Sequence, residues 1–328
     1  VIHDSVVSCV GATPMVRLDR CFPESDAEVI AKLEMLNPGG SMKDRPARFI
    51  VEQGLHEGTL RPGTRLVEST SGNLGIALAM AAGLYGLSFT AVVDPKTSPI
   101  NLRLLRLFGA DVEMVDEPDE SGGYLHTRVR RARELVNSMP NAVLVNQYAN
   151  DLNWRSYHDT AGEEILEAVD GPVDYLVAAV STTGSIQGIA RRLRQEYPHL
   201  KVIAVDAVGS VIFGAPPAPR QLPGFGASRV PEILDRSAID DIVYVADAES
   251  AAGCRRLLDT EKIFAGGSSG AVVAGIEHLV SRLDRPSRIV TLLPDRGERY
   301  LDLVYDDNWV ASLSEPWQNQ EVADTVTS

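Results

Sequence analysis

Hydrophobic positions along this chain fall into two alternating kinds of segment. Short apolar runs lie at Val29 to Leu33, Arg65 to Val67, Phe89 to Val93, Asp111 to Val115, Ala142 to Val145, Leu176 to Val180, Lys201 to Val205, Ile242 to Val245 and Ile289 to Leu293. Between most of them stand helix-compatible stretches at Arg45 to Glu57, Leu74 to Tyr85, Asn101 to Phe108, Tyr124 to Met139, Thr160 to Ala168, Ile186 to Glu196, Ala248 to Lys262 and Gly270 to Leu283. Strand, helix, strand is the pattern of parallel sheets covered by helices on both faces, so the chain is predicted to be α/β. A dinucleotide-binding protein would share the pattern, but no G-x-G-x-x-G opens a first strand-to-helix turn. The Pro-rich segment Gly214 to Gly226 predicts a surface loop, and Trp317 to Ser328, polar and aperiodic, is expected to be poorly ordered.

Composition narrows the partners. The 328 residues exceed one typical core, so two domains are expected. A net charge of -14 argues against nucleic acid or an anionic membrane, both of which need a basic face. The 3 cysteines, Cys9, Cys21 and Cys254, have no C-x-x-C spacing, and the histidines show no H-E-x-x-H. A reducing cytoplasm is expected, with no metal site. No signal peptide or membrane-length apolar run is read from the sequence.

Three turns carry candidate chemistry. Asn37-Pro38-Gly39-Gly40-Ser41-Met42-Lys43 follows the first strong apolar run and opens a helix, with Ser41 as its expected N-cap. A lysine at the positive end of a helix, or buried, has a lowered pKa, and a neutral amine forms a Schiff base. Ser69-Thr70-Ser71-Gly72-Asn73 gathers hydroxyls, an amide and free N–H groups at a helix start, which suits a carboxylate. Ser181-Thr182-Thr183-Gly184-Ser185 stands between a strand and a helix and suits a phosphate. Each turn alone also reads as a plain helix cap or a solvated lysine. Together they describe pyridoxal phosphate (PLP) and an amino acid.

Asn37 to Arg45, Ser71-Gly72-Asn73, Gly266-Gly267-Ser268-Ser269-Gly270 and Pro294-Asp295-Arg296-Gly297-Glu298-Arg299-Tyr300 resemble, in order, the motifs of the cysteine synthase and cystathionine β-synthase group. The resemblance implies fold type II: two doubly wound parallel-sheet domains with PLP in the cleft between them. It further implies a large domain of residues 1–43 and 151–328, a small mobile domain of residues 44–150, and a homodimer. Lys43 would hold PLP and then remove the α-proton, the loop from Ser181 to Ser185 would hold the phosphate, and Asn73 would bond the ring hydroxyl oxygen. Ser268 would face the pyridine nitrogen; a hydroxyl there makes a weaker electron sink than a carboxylate and favours prompt loss of a β-leaving group. The substrate would meet Ser69 to Asn73 and Gln147. The implied reaction is β-replacement on an activated serine through an aminoacrylate.

Departures from the cysteine synthase pattern bear on the substrate. Leu74 follows Asn73 where a threonine is usual, Ser181 and Thr183 stand for glycines, Ala12 replaces the Asn of a G-N-T-P-L opening, and Tyr157 stands near a usual His. These features are similar to a siderophore-pathway branch that joins O-phospho-L-serine to L-glutamate, giving N-(2-amino-2-carboxyethyl)-L-glutamate on the way to 2,3-diaminopropionate. That reaction needs added positive charge, for which Arg220, Arg229, Arg128, Arg131 and Arg133 are candidates, with Tyr157 beside the substrate. A sulfide-adding cysteine synthase and a PLP-bound paralogue without turnover are the competing readings.

Overall fold

The computed structural model describes residues 2–119 and 123–313, so the tail from Trp317 to Ser328 lies outside the described residues. Two sheets organise the chain. The larger takes β1 (Met15–Arg17), β2 (Glu28–Lys32), β7 (Tyr175–Ala179), β8 (Lys201–Ala207), β9 (Asp241–Val245) and β10 (Arg288–Leu292) in the order β1-β2-β10-β7-β8-β9. The smaller takes β3 (Arg65–Ser69), β4 (Ser88–Val93), β5 (Asp111–Met114) and β6 (Ala142–Leu144) in the order β5-β4-β3-β6. Every pairing is parallel except that of β1 with β2, an edge that the strand-and-helix pattern did not reveal.

The helices are α1 (Asp44–Glu57), α2 (Asn73–Leu84), α3 (Pro99–Leu107), α4 (Leu125–Ser138), α5 (Asp151–Ser156), α6 (Glu163–Ala168), α7 (Gly184–Glu196), α8 (Asp247–Glu261), α9 (Gly267–Val280) and α10 (Asp307–Ala311). One stretch differs from the sequence expectation: the helix placed at Thr160 to Ala168 begins at Asp151 and passes through a π-helical turn, Tyr157–Gly162. A second difference is that Lys43, not Ser41, is the N-cap residue of α1, while the Ser41 hydroxyl accepts from the Lys43 N–H at 3.2 Å.

Strand side chains alternate between two cores, which is why the strands read as unbroken apolar runs. In β8, Ile203 and Val205 join Val272, Val273 and Ile276 of α9 on one face, while Val202 and Ala204 join Ile186, Ile189 and Leu193 of α7 on the other. The small sheet repeats the plan, with Leu66, Phe89 and Ala91 against α1 and α2, and Val67 and Val92 against Ala132 of α4. Helices α8 and α9 approach backbone to backbone, since a Cβ on Gly270 would lie 1.9 Å from the Ser250 carbonyl oxygen.

Strand order positions the site. From β3 the chain winds one way to β4 and β5 and returns on the other side as β6; from β7 it winds to β8 and β9 and returns as β10. Ligands bind in the crevice beyond the carboxyl ends of strands at such reversals. The carboxyl ends of β3 and β7 are the turns at Ser69 and Ser181, and that of β10 runs into Pro294 and Asp295.

Candidate active site

The turns singled out in the sequence converge. One narrow cavity is lined by Met42, Lys43, Asn73, Ser181, Thr182, Thr183, Ser185 and Ser268, together with Ala179, Gly224, Pro294 and Asp295. Segment 294–296 stitches two of these turns: Ser41 bridges to Asp295 and Ala265 to Arg296, and the Met42 N–H donates to the Pro294 carbonyl at 2.8 Å.

Lys43 stands at the start of α1 with no hydrogen bond or ion pair to its Nζ among the described residues. Burial pushes the ammonium down to about 8, against the opposing pull of the Asp295 carboxyl. A buried network fixes the backbone behind it. Arg45 bonds Glu34 through Nε at 2.7 Å and Glu164 through Nη1 at 2.6 Å, and Lys32 reaches Glu164 at 2.7 Å. Although burial works against it, Arg45 and Lys32 hold the Glu164 carboxyl down at about 2.

Asp295 is buried beside the lysine, and burial raises its carboxyl. Its Oδ2 accepts from Asn73 Nδ2 at 2.7 Å and from the Tyr300 hydroxyl at 2.8 Å, while Oδ1 has no partner. The other end of the Asn73 amide, Oδ1, accepts from Arg299 Nη1. The Ser268 side-chain hydroxyl also faces the cavity and makes no hydrogen bond among the described residues.

The loop from Ser181 to Ser185 presents its amides at the N-terminus of α7. Thr183 takes φ 65°, a strained conformation for a β-branched residue. Gln187 supports it from below: Nε2 donates to Thr183 Oγ1 at 2.7 Å and to the Ile233 carbonyl at 3.0 Å, and Oε1 accepts from the Asp235 N–H. A Cβ on Gly184 would lie 2.4 Å from Asn153 Oδ1, so a side chain there would displace the Asn153 amide. Asn153 in turn donates to Thr182 Oγ1 at 3.1 Å. Nothing in the amino-acid sequence marks these roles for Gln187, Asn153 and Asp295, although Asp295 falls in a stretch that carries the resemblance.

The carboxylate turn is mixed. Thr70 Oγ1 accepts from the Gly75 N–H and so caps α2, whereas the buried Ser69 Oγ has no partner. Ser71 and Gly72 are partly exposed beside Asn73, and Leu74 is buried in the small core. Gln147 reaches Glu68 at 3.4 Å. Tyr157, expected beside the substrate, is fully buried, and its hydroxyl donates to the Met42 carbonyl at 3.1 Å, behind the lysine turn. Arg220, expected at the substrate, is held by its own loop through the Phe225 carbonyl (3.3 Å) and Ser228 Oγ (2.8 Å).

A second cluster adjoins the phosphate loop. Glu68 is buried, and burial raises its carboxyl to about 7. Arg128 pairs with Asp94 at 3.2 Å, yet its Nε and Nη1 make no hydrogen bond. Burial raises the Tyr148 hydroxyl, which also feels the charges of Arg128, Glu68 and Arg229. The Arg229 guanidinium lies over the Tyr148 ring at 5.1 Å. Among the described residues there is no cluster of His, Cys, Asp and Glu able to hold a metal, and no helix long and apolar enough to cross a membrane.

Comparison with known proteins agrees with this geometry. A model of the family described as "Pyridoxal-phosphate dependent enzyme" matches residues 6–295. The chain is 60% identical over 313 residues, 95% of its length and 93% of the relative's, to an N-(2-amino-2-carboxyethyl)-L-glutamate synthase from Ralstonia nicotianae. Among solved structures, an O-ureido-L-serine synthase superimposes with TM-score 0.86 at 34% identity, covering 95% of this chain and 100% of that one. An O-acetylserine dependent cystathionine β-synthase from Helicobacter pylori superimposes with TM-score 0.85 at 30% identity, covering 92% and 98%.

Proposed function

This chain belongs to the pyridoxal-phosphate dependent enzyme family, and on that premise we propose that it joins O-phospho-L-serine to the amine of L-glutamate by β-replacement, giving N-(2-amino-2-carboxyethyl)-L-glutamate. The residues present suit the cofactor. An amine lowered to about 8, an anion-binding helix start at Gly184, where a side chain would displace the Asn153 amide, and the unpaired Ser268 hydroxyl form a donor set matched to its aldehyde, phosphate and pyridine nitrogen. When bound, the cofactor withdraws electrons from the substrate α-carbon so that the α-proton and the β-substituent can leave.

In this reading Lys43 holds the cofactor and, once released, takes the α-proton with Nζ. Residues 181–185 hold the cofactor phosphate, Asn73 bonds the ring oxygen, and Ser268 faces the ring nitrogen. Ser69 Oγ, Ser71, Gly72 and Gln147 orient the substrate carboxylate. Residues 44–150 close over the bound amino acid as one unit, with residues 1–43 and 151–328 as the other.

The observation that carries the choice of a phosphorylated serine is Arg128. Its largely buried guanidinium pairs with Asp94 through Nη1 but leaves Nε without a partner, and its charge reaches Tyr148 beside the site. An acetyl leaving group would not need that charge, whereas a phosphate does. The choice of glutamate is supported by the relative's name at 60% identity. A homodimer belongs to the same reading, and exposed Leu84, Leu107 and Phe108 supply an apolar face at the ends of α2 and α3.

The test is a competition: holoenzyme is given O-phospho-L-serine with L-glutamate and sulfide together, and products are read by mass spectrometry. The glutamate adduct is expected as main product. Cysteine as main product would replace this reading with a sulfhydrylase, and absence of both would remove O-phosphoserine as substrate.

A further inference from the structure

A groove of about 480 Å³ opens between α4 and the segment around Arg229, outside the cavity that holds Lys43. Its walls include His126, Arg130, Arg133 and Asn137 from one face of α4, and Arg229 and Val230 from the facing loop. In a chain of net charge -14, three arginines line this groove with one carboxylate, Glu134, while Arg229 is paired to Glu232 beside it. Glu134 is itself shared between Arg130 at 3.8 Å and Arg131 at 3.3 Å. Arg133 has no hydrogen-bond or ion-pair partner among the described residues. Its exposed guanidinium is open to an anion.

The groove borders the residues that support the cavity loop. Arg229 lines it and also covers the Tyr148 ring at 5.1 Å, and the adjoining Gln147 carbonyl accepts from Asn153, which also donates to Thr182 Oγ1 of the cavity loop. We propose that this groove is the first docking site of the second substrate, an amino dicarboxylate, whose carboxylates pair with Arg130 and Arg133 before it passes on to the cavity. Arg130 and Arg133 stand three residues apart on α4, so their Cβ atoms are roughly 5–6 Å apart, a spacing that two carboxylates of a five-carbon diacid can match. The docking is non-covalent; it rests on the function proposed above and adds to it where the nucleophile is selected. A mono-anionic or neutral nucleophile would leave one arginine unpaired.

The experiment uses holoenzyme and the variants Arg130→Gln, Arg133→Gln and their double, with Arg106→Gln on α3 as a charge-matched control. Loss of a charge-assisted pair at this half-open site is expected to raise KM for L-glutamate about tenfold per arginine. KM for O-phospho-L-serine should stay within about twofold of wild type, and the control should match wild type in both. Glutarate, a diacid without the amine, should inhibit competitively against glutamate, and salt should weaken it. An unchanged KM for glutamate in the double variant, or a rise confined to O-phosphoserine, would overturn the assignment. Calorimetry of glutarate binding to the holoenzyme separates the two claims. Binding abolished by the double variant supports the groove even where no glutamate adduct forms, and binding retained by it refutes the groove even where the adduct does form.

Discussion

Asn73 is gripped at both ends of its side-chain amide by one short segment, donating to Asp295 Oδ2 at 2.7 Å and accepting from Arg299. The grip joins the start of α2, behind the small sheet, to the stretch that follows β10 of the large sheet. Because Arg299 donates only, it fixes which end of the amide is the oxygen and keeps Nδ2 available as donor. Arg299→Gln removes the cation and leaves the Asn73 amide held only at its Asp295 end. The expected result is a weaker hold on the cofactor, read as a roughly tenfold rise in the PLP dissociation constant by fluorescence titration. An unaltered constant would show that Asn73 orientation does not depend on Arg299.

Lys43 makes cofactor loading pH-dependent. With its ammonium lowered to about 8 by burial, roughly a tenth of the amine is neutral at pH 7, far more than for an ordinary lysine. The rate at which apoprotein takes up PLP, followed by absorbance, should rise with pH, reach its midpoint near pH 8 and level off about one unit above. Asp295 opposes the shift, so Asp295→Asn should move the profile to lower pH. A profile in the variant that is unmoved or moved upward would show that the carboxyl does not act on the amine.

How far the sequence could be read depended on the distance over which each role is set. The turns after β3 and β7 were legible because an apolar strand, a Gly- or hydroxyl-rich break and a helix start all lie within a few residues. The grip on Asn73 was not, since Asn73 and Asp295 are 222 residues apart and nothing local marks Asp295 as a partner. Tyr157 is the reverse case. Its place in the chain suggested a substrate contact, but the π-helical turn at Tyr157–Gly162 belongs to a face packed behind Met42, and only the packing reveals that. Gln187 was hidden too, because its helix position reads as an ordinary polar residue until the strained Thr183 above it is seen.

Ala12 is a small stability defect. It is exposed at φ 47°, in the left-handed region where a Cβ is penalised and Asn or Gly is tolerated. Ala12→Asn and Ala12→Gly should each raise stability, the glycine less because it also frees the unfolded chain. A gain of about 1 kcal/mol is expected for Asn, read from the urea midpoint, with cofactor affinity unchanged. A loss of stability in both variants would contradict the backbone assignment.

The Arg45 network should fail when one partner is neutralised. Glu34 is fully buried and paired to Arg45 at 2.7 Å, so Glu34→Gln leaves a buried cation under-compensated. Removing one member of a buried pair costs about 3–5 kcal/mol, and thermal unfolding should show a loss of that order. Replacement of the partly exposed Glu52, paired to Arg48 at 2.9 Å, should cost under about 1 kcal/mol. Equal losses would mean that burial of the network contributes nothing.

Glu68 gives the stability a pH dependence of predictable sign. Its carboxyl rises from 4.5 to about 7, chiefly through burial, and Oε2 has no partner in the fold. A raised carboxyl contributes stability that is fully present below its unfolded pKa and lost as pH climbs through its folded value. The protein therefore loses this contribution between about pH 4.5 and 7, by up to about 3 kcal/mol. Asp44 and Asp206, raised by burial to about 7 and about 6, act in the same direction and remain in any Glu68 variant, so the diagnostic quantity is a difference between two curves. Glu68→Gln keeps an oxygen for the bonds from Gln147 and removes the titration. Measured by urea unfolding at fixed cofactor concentration, the variant should gain on wild type steadily from pH 5 to pH 8, by about 2–3 kcal/mol. Parallel curves over that interval would mean that Glu68 keeps its ordinary ionisation, with Arg128 rather than protonation neutralising it.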